Sequence, residues 1–290
     1  MPYQPVNAWG GPPAAPKPGI IPLRPLGAGE ILDGVFTAIR RNPAATVGLS
    51  VGLYAAYGVV AGIVVGATAN ASPSAGDAVH VALLAASMVI TAMIAGALSI
   101  VVSEATIGTT VTAGEVWDRI RPRAGRLAEL SIVVAVLTII GLIGLLVGAI
   151  WVGVMLSIAT PAFVLEGGSV EAALRRSRRL IAGAWWRSFG VLLLGGIVSV
   201  VTVLVLVIPL AIVDRLVGTN VLSGAADQSA AQQGAYEFVM DVLTGVAVPV
   251  TAGVAALLYV DRRIRVEGLG VTLAQAARER AEARAATPIV

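Results

Sequence analysis

From Leu130 to Leu165 the chain runs for 36 residues without a charged side chain. As one helix this stretch would measure about 54 Å, against about 30 Å of hydrocarbon in a bilayer. It is too long for one crossing and just long enough for a tight hairpin, with Gly141, Gly144 and Gly148 as turn points. The flanks decide between the two. Arg119, Arg121, Arg123 and Arg126 precede it, and Arg175, Arg176, Arg178 and Arg179 follow it. Cytoplasmic loops concentrate Lys and Arg. Both flanks then lie on one side, and the chain crosses twice.

Four further charge-free stretches run over 42–76, 81–103, 188–213 and 242–260, and each has room for one helix. The expectation is an all-α, polytopic membrane helix bundle with six spans, over 44–67, 81–107, 127–145, 148–165, 188–213 and 238–260. Composition agrees: 57% of residues are hydrophobic and 13% charged, where a soluble domain carries about 25% charged residues. With both termini cytoplasmic, nineteen of the twenty basic residues fall inside and only Arg215 outside. The membrane implied is the cytoplasmic one. The excess of Arg over Lys and the abundance of Ala fit a GC-rich bacterial genome, with an actinobacterium as the expectation.

Residues 1–26 hold eight prolines and no continuous apolar run, so they read as a disordered, Pro-rich cytoplasmic tail without a cleavable signal. The membrane domain covers 27–269, and an amphipathic cytoplasmic tail, residues 270–290, closes the chain.

Three segments between the spans have helical periodicity. Ala28–Arg41 puts Ala28, Ile31, Leu32, Val35 and Ile39 on one face. Ala113–Leu127 does so with Val116, Trp117, Ile120, Ala124 and Leu127, and Val170–Trp185 with Val170, Leu174, Ile181 and Trp185. Each reads as an interfacial amphipathic helix. The run Ala28-Gly29-Glu30-Ile31-Leu32-Asp33 parallels Ala113-Gly114-Glu115-Val116-Trp117-Asp118, and Ser169-Val170-Glu171 begins a weaker third copy. An interfacial helix followed by a two-helix hairpin would thus recur three times.

Residues for catalysis are scarce. There is no cysteine, so thiol chemistry is excluded; His80, at the outer end of the second span, is the only histidine, so a two-His metal site is impossible and a Ser-His-Asp triad crippled. No phosphate-cradling Gly-rich loop is followed by Lys. Gly48-Leu49-Ser50-Val51-Gly52 matches the nucleophile-elbow pattern, but it falls inside a predicted span, where packing is the better explanation. No cofactor, metal or nucleic-acid partner is implied. Gly58, Gly62 and Gly66 form a stripe suited to close helix packing, and an intramolecular seam is preferred to a dimer.

Two features remain as candidate sites. Arg175, Arg176, Arg178 and Arg179, followed by Trp185, Trp186 and Arg187, form the densest polar cluster. A positive-inside anchor is the commoner meaning of such a cluster; the alternative is a surface contacting anionic headgroups or a protein partner. Asp241 lies about one turn into the sixth span. There an interfacial or paired carboxylate is the commoner role, and a proton or cation site is the functional alternative. Glu104 and Glu129 sit nearer the span ends.

The run from Trp151 through Ala159-Thr160-Pro161-Ala162-Phe163-Val164-Leu165-Glu166-Gly167, then Glu171-Ala172-Ala173-Leu174-Arg175-Arg176-Ser177 and Trp186-Arg187, carries a resemblance. So do Arg24–Asp33 and Tyr259–Leu269. The chain resembles, over about residues 22–275, the bacterial membrane proteins called glycerophosphoryl diester phosphodiesterase membrane-domain-like. In that family the phosphodiesterase activity belongs to a separate soluble metal-binding domain, for which this chain leaves no room. The resemblance therefore implies a membrane domain and no catalytic residue. The expected function is that of a non-enzymatic scaffold or partner subunit. The alternative is a transporter or lipid-translocating protein working through Asp241 and the interface between repeats.

Overall fold

The computed structural model describes residues 19–22, 24–69, 71–223, 228–268 and 275. The far N-terminal part of the Pro-rich tail and nearly all of the predicted amphipathic C-terminal tail lie outside the described residues.

The chain is all-α, and six of its helical segments are long and apolar enough to cross a membrane: Ala44–Thr68, Ser74–Thr106, Ala113–Gly144, Leu146–Glu166, Trp185–Val217 and Ala230–Glu267. The 36-residue stretch is a hairpin. Helix α5 (Ala124–Gly141) ends in a 3-10 turn at Leu142–Gly144, and α6 (Leu145–Leu156) returns. A Cβ on Gly141 would come within 2.9 Å of the Gly148 carbonyl oxygen, so only paired glycines let the two backbones lie this close.

The remaining elements are α1 (Ala28–Arg41), α2 (Leu49–Thr68), α3 (Pro73–Thr106), α4 (Ala113–Ile120), α7 (Ala159–Glu166), α8 (Val170–Ile181), α9 (Trp185–Val217) and α10 (Ala230–Glu267). A single π-helical turn, Ala44–Gly48, leads into α2. The order of short helix then hairpin recurs as α1-α2-α3, α4-α5-α6/α7 and α8-α9-α10. The capping explains why the third copy is faint in sequence. Glu30 accepts the Gly27 N–H at 2.7 Å and Glu115 accepts the Thr112 N–H at 3.0 Å, each from the third helical position. In α8 the cap is Ser169 itself, whose Oγ accepts the Ala172 N–H at 3.2 Å. Glu171, one position earlier than its counterparts, pairs instead with Arg175.

Helix α10 is the central element, with 72% of its most apolar window buried, whereas the corresponding windows of α5 and α9 are 11% buried. It runs antiparallel to α2 along the glycine stripe. A Cβ on Gly62 would lie 2.5 Å from the Gly234 carbonyl oxygen, and the reciprocal contact is equally short. Gly58 faces Asp241, and Gly66 faces Ala230. The stripe is therefore an intramolecular seam. Ser50, the serine of the nucleophile-elbow pattern, is fully buried and donates to the Gly245 carbonyl across the same seam at 2.7 Å.

Several boundaries differ from the sequence reading. Helices α3, α9 and α10 extend past the charge-free stretches, because Asp77, Asp214, Arg215 and Glu237 continue their helices. An absence of charge measures the hydrocarbon depth of a helix, not its length. The predicted Ala113–Leu127 helix is split by a 3-10 turn at Arg121–Arg123, which contains Pro122. The predicted Val170–Trp185 helix stops at Ile181, and Trp185 opens α9. Gly183 between them has φ of 81°, a left-handed conformation costly for any residue with a Cβ. The fourth span is broken as well: α6 ends at Leu156, α7 begins at Ala159, and Pro161 sits in the first turn of α7, where its missing N–H costs no helical bond.

The amphipathic helices do not spend their apolar faces on lipid. Ile31, Val35 and Ala38 of α1, Val116 and Ile120 of α4, and Leu180 and Ile181 of α8 are all buried against the bundle. Residues assigned to the Pro-rich tail join them: Ile20, Ile21 and Leu26 are buried in the same core as α1 and α10, and the Ile20 N–H donates to the Ala105 carbonyl at 3.1 Å.

Candidate functional site

The candidate cluster sits where α8 meets the start of α9, and the structure divides its residues into two groups. Arg187, in the first turn of α9, turns inward. Its Nη1 donates to Asp261 Oδ2 at 2.6 Å and its Nη2 to the Leu26 carbonyl at 2.6 Å. Asp261 is fully buried; it also accepts the Leu26 N–H at 2.8 Å and Arg265 Nε at 3.0 Å. Arg265 Nη2 reaches the same Leu26 carbonyl at 2.8 Å. One carboxylate thus ties the N-terminal segment to α9 and α10. Beside it, Arg262 donates to the Leu180 carbonyl at 2.7 Å, holding α8 to α10.

Arg176 turns inward too. Its guanidinium lies between Glu166 at the end of α7 and Glu267 at the end of α10, donating to each at 2.8 Å. Its pKa is raised above the ordinary arginine value, first by the hydrogen bond to Glu267, against desolvation, and then by Glu166. Arg263 pairs with Glu267 at 2.9 Å, and Tyr259 donates to Glu166 at 2.5 Å. The three separated sequence pieces that carry the family resemblance meet in these two networks. Their i,i+4 spacings on α10, Asp261 to Arg265 and Arg263 to Glu267, were visible in the sequence. Their long-range partners Leu26, Glu166 and Arg187 were not.

The second group faces outward. Arg175 is exposed and pairs only with Glu171 of its own helix, at 2.6 Å. Arg178 and Arg179 are exposed and make no side-chain hydrogen bond or ion pair with the described residues. Together with Met155 and Ala182 these arginines line a hollow of about 530 Å³, and no carboxylate is among its described lining residues. Trp185 stacks on Phe189, with centroids 5.3 Å apart, and its Nε1 donates to the Trp151 carbonyl at 3.3 Å. Trp186 stands edge-on to Trp185 and is 78% exposed.

Asp241 lies elsewhere, on α10 in the seam with α2. Its Oδ2 is buried, has no hydrogen-bond partner, and would sit 3.4 Å from a Cβ on Gly58. Nearby, Tyr54 shares a 2.7 Å hydrogen bond with Thr91, and Tyr57 donates to the Leu83 carbonyl at 2.7 Å, so neither hydroxyl is spent on Asp241. Glu104 is bound at the other end of α3 by Thr109 at 2.7 Å and by Arg119 at 3.3 Å. Glu129 is exposed. No group of three or more His, Asp or Glu residues among the described residues comes together in a way that could hold a metal ion.

No family model matches the sequence, and no curated protein or solved structure is similar to it.

Proposed function

We propose that this polytopic membrane protein acts without catalysis, as a scaffold or partner subunit of the cytoplasmic membrane, with its Arg-rich end facing the cytoplasm. The division of the arginine cluster carries this reading. Arg176 and Arg187 are consumed in holding α7, α8, α9 and α10 together, while Arg178 and Arg179 stay exposed on the surface so formed, without an ion-pair partner among the described residues. Cations beside exposed tryptophans suit anionic headgroups or an acidic protein surface at the membrane boundary. The orientation rests on nineteen of twenty basic residues falling on one side. The non-enzymatic reading draws support from Ser50, which is bound to a carbonyl inside the bundle, and from His80, whose Nδ1 lies 2.8 Å from the Gly76 carbonyl of its own helix. Kinship with the phosphodiesterase membrane-domain-like proteins belongs to the same proposal, on the motif residues that meet around Asp261 and Glu166.

The test is a crosslinked pull-down of the tagged protein from native membranes, quantified by mass spectrometry. A stoichiometric partner that is lost on Arg178→Gln/Arg179→Gln substitution supports the scaffold reading; wild type and variant yielding the same background sinks it.

One observation favours a second reading, transport: the buried, unpartnered Oδ2 of Asp241. Proton or cation flux into liposomes that Asp241→Asn abolishes would establish it, and flux indifferent to that change would remove Asp241 as its site.

A further inference from the structure

The hollow of the outward arginines and an apolar groove are lined by neighbouring residues of α6, Met155 and Val154. Between α6 and α9 a groove of about 570 Å³ is lined by residues including Gly153, Val154, Phe189, Leu193, Gly196 and Val200. From Phe189 to Val200 it follows α9 for about 17 Å of helix axis. The cationic hollow begins at Met155, the residue after Val154 on α6, and the stacked Trp185–Phe189 pair stands beside the junction. The hollow is thus cationic and the neighbouring groove apolar, and the groove is lined by two of the six long apolar helical segments.

Two glycines deepen the groove without any packing requirement of the protein. A Cβ built on Gly153 or on Gly196 meets no atom within 4 Å, unlike Gly141, Gly148, Gly62 and Gly234, where a backbone stands in the way. The latter four are explained by close helix approach, and the groove glycines are not. They leave space in the groove that no described residue fills.

We propose that the groove and its cationic end together bind one anionic phospholipid. An acyl chain lies along α6 and α9 over Gly153 and Gly196, and the phosphate sits in the hollow of Arg178, Arg179 and Arg175. Charge complementarity selects the occupant: among the described residues, two cations have no partner, a third pairs only with an exposed carboxylate of its own helix, and no acid is in the lining. Trp185 and Trp186 open α9, one of the long apolar segments, and indole rings favour the headgroup boundary. This proposal rests on reading the outward arginines as a recruiting surface, and it names the ligand of that surface. A protein partner at the same arginines is an alternative outcome of the test.

The experiment uses the full chain purified in mild detergent and reconstituted in nanodiscs of phosphatidylcholine with a minor fraction of phosphatidylglycerol. Lipid retained on the protein after release is counted by native mass spectrometry. Wild type is expected to retain phosphatidylglycerol over phosphatidylcholine by roughly thirtyfold beyond their ratio in the disc, as about 1 kcal/mol from each of Arg178 and Arg179 implies. Arg178→Gln/Arg179→Gln should bring retention down to the disc ratio. Gly196→Leu, which fills open space, should remove bound lipid of both kinds with the unfolding temperature unchanged. Equal retention of the two lipids by wild type overturns the proposal, as does selectivity surviving loss of both arginines or lipid surviving Gly196→Leu. A partner captured through Arg178 and Arg179 by a wild type without lipid selectivity would leave the scaffold reading standing and refute the lipid site. Selective lipid retention with no partner captured would do the reverse.

Discussion

Asp261 of α10 and Arg187 of α9 lie 74 residues apart in the chain and meet at 2.6 Å, with the carboxylate fully buried. Removing one member of a buried charge pair strands the other and costs about 3–5 kcal/mol. Here loss of the carboxylate would also leave the Leu26 N–H without its acceptor. Asp261→Ala should therefore lower the thermal unfolding midpoint in detergent sharply, and Asp261→Asn, which keeps an acceptor, less so. An unchanged midpoint for the alanine variant would show that the junction contributes nothing to stability.

The α2–α10 seam predicts a contrast between two glycines of the same helix. Gly62→Ala places a methyl 2.5 Å from the Gly234 carbonyl oxygen, whereas Gly52→Ala meets nothing within 4 Å. The first should destabilise and loosen the seam. The second should be neutral or slightly stabilising, since alanine is the better helix former by about 1 kcal/mol. Circular-dichroism melts of the two variants decide it, and equal midpoints would refute the crossing at Gly62.

Arginines two positions apart on α8 should behave differently. Arg176→Ala leaves Glu166 and Glu267 with Arg263 but without the closer of the two cations that bridge them, and should destabilise measurably. Arg178→Ala removes an exposed side chain without a partner among the described residues and should stay within about 0.5 kcal/mol of wild type. Paired unfolding curves suffice. Matching losses would mean that α8 is not divided into an inner and an outer face.

Asp241→Asn should leave stability unchanged or raise it. The carboxylate makes no hydrogen bond through Oδ2, and a buried charge without a partner costs more than a neutral amide of the same shape. A loss beyond about 1 kcal/mol would reveal a partner that the carboxylate holds in the membrane.

The natural absence of cysteine makes orientation testable by single-cysteine labelling. Ser74→Cys, at the start of α3, should react with an impermeant maleimide in intact cells, and Gly114→Cys, on α4, only after permeabilisation. Both positions are exposed, and Gly114 has no atom within 4 Å of an added Cβ. The reverse pattern would invert the proposed topology.

The sequence alone determined the class of this protein and the path of its chain. Charge-free runs such as Leu130–Leu165 are set by the cost of placing charges in hydrocarbon, which acts locally and can be read one residue at a time. The same holds for the hairpin at Gly141–Gly148, the periodicity of α1 and the glycine stripe of α2. What only the tertiary structure decided depends on which distant groups meet. It sent Arg176 and Arg187 inward and left Arg178 and Arg179 outside, a choice that rests on Glu166, Glu267, Asp261 and Leu26, 10 to 161 residues away. It packed Ile20, Ile21 and Leu26 into the core, although the prolines around them read as a free tail. It also turned the apolar faces of α1, α4 and α8 toward protein rather than lipid. An amphipathic stripe states only that a face avoids water; whether protein or acyl chains cover it is settled by the helices packed beside it.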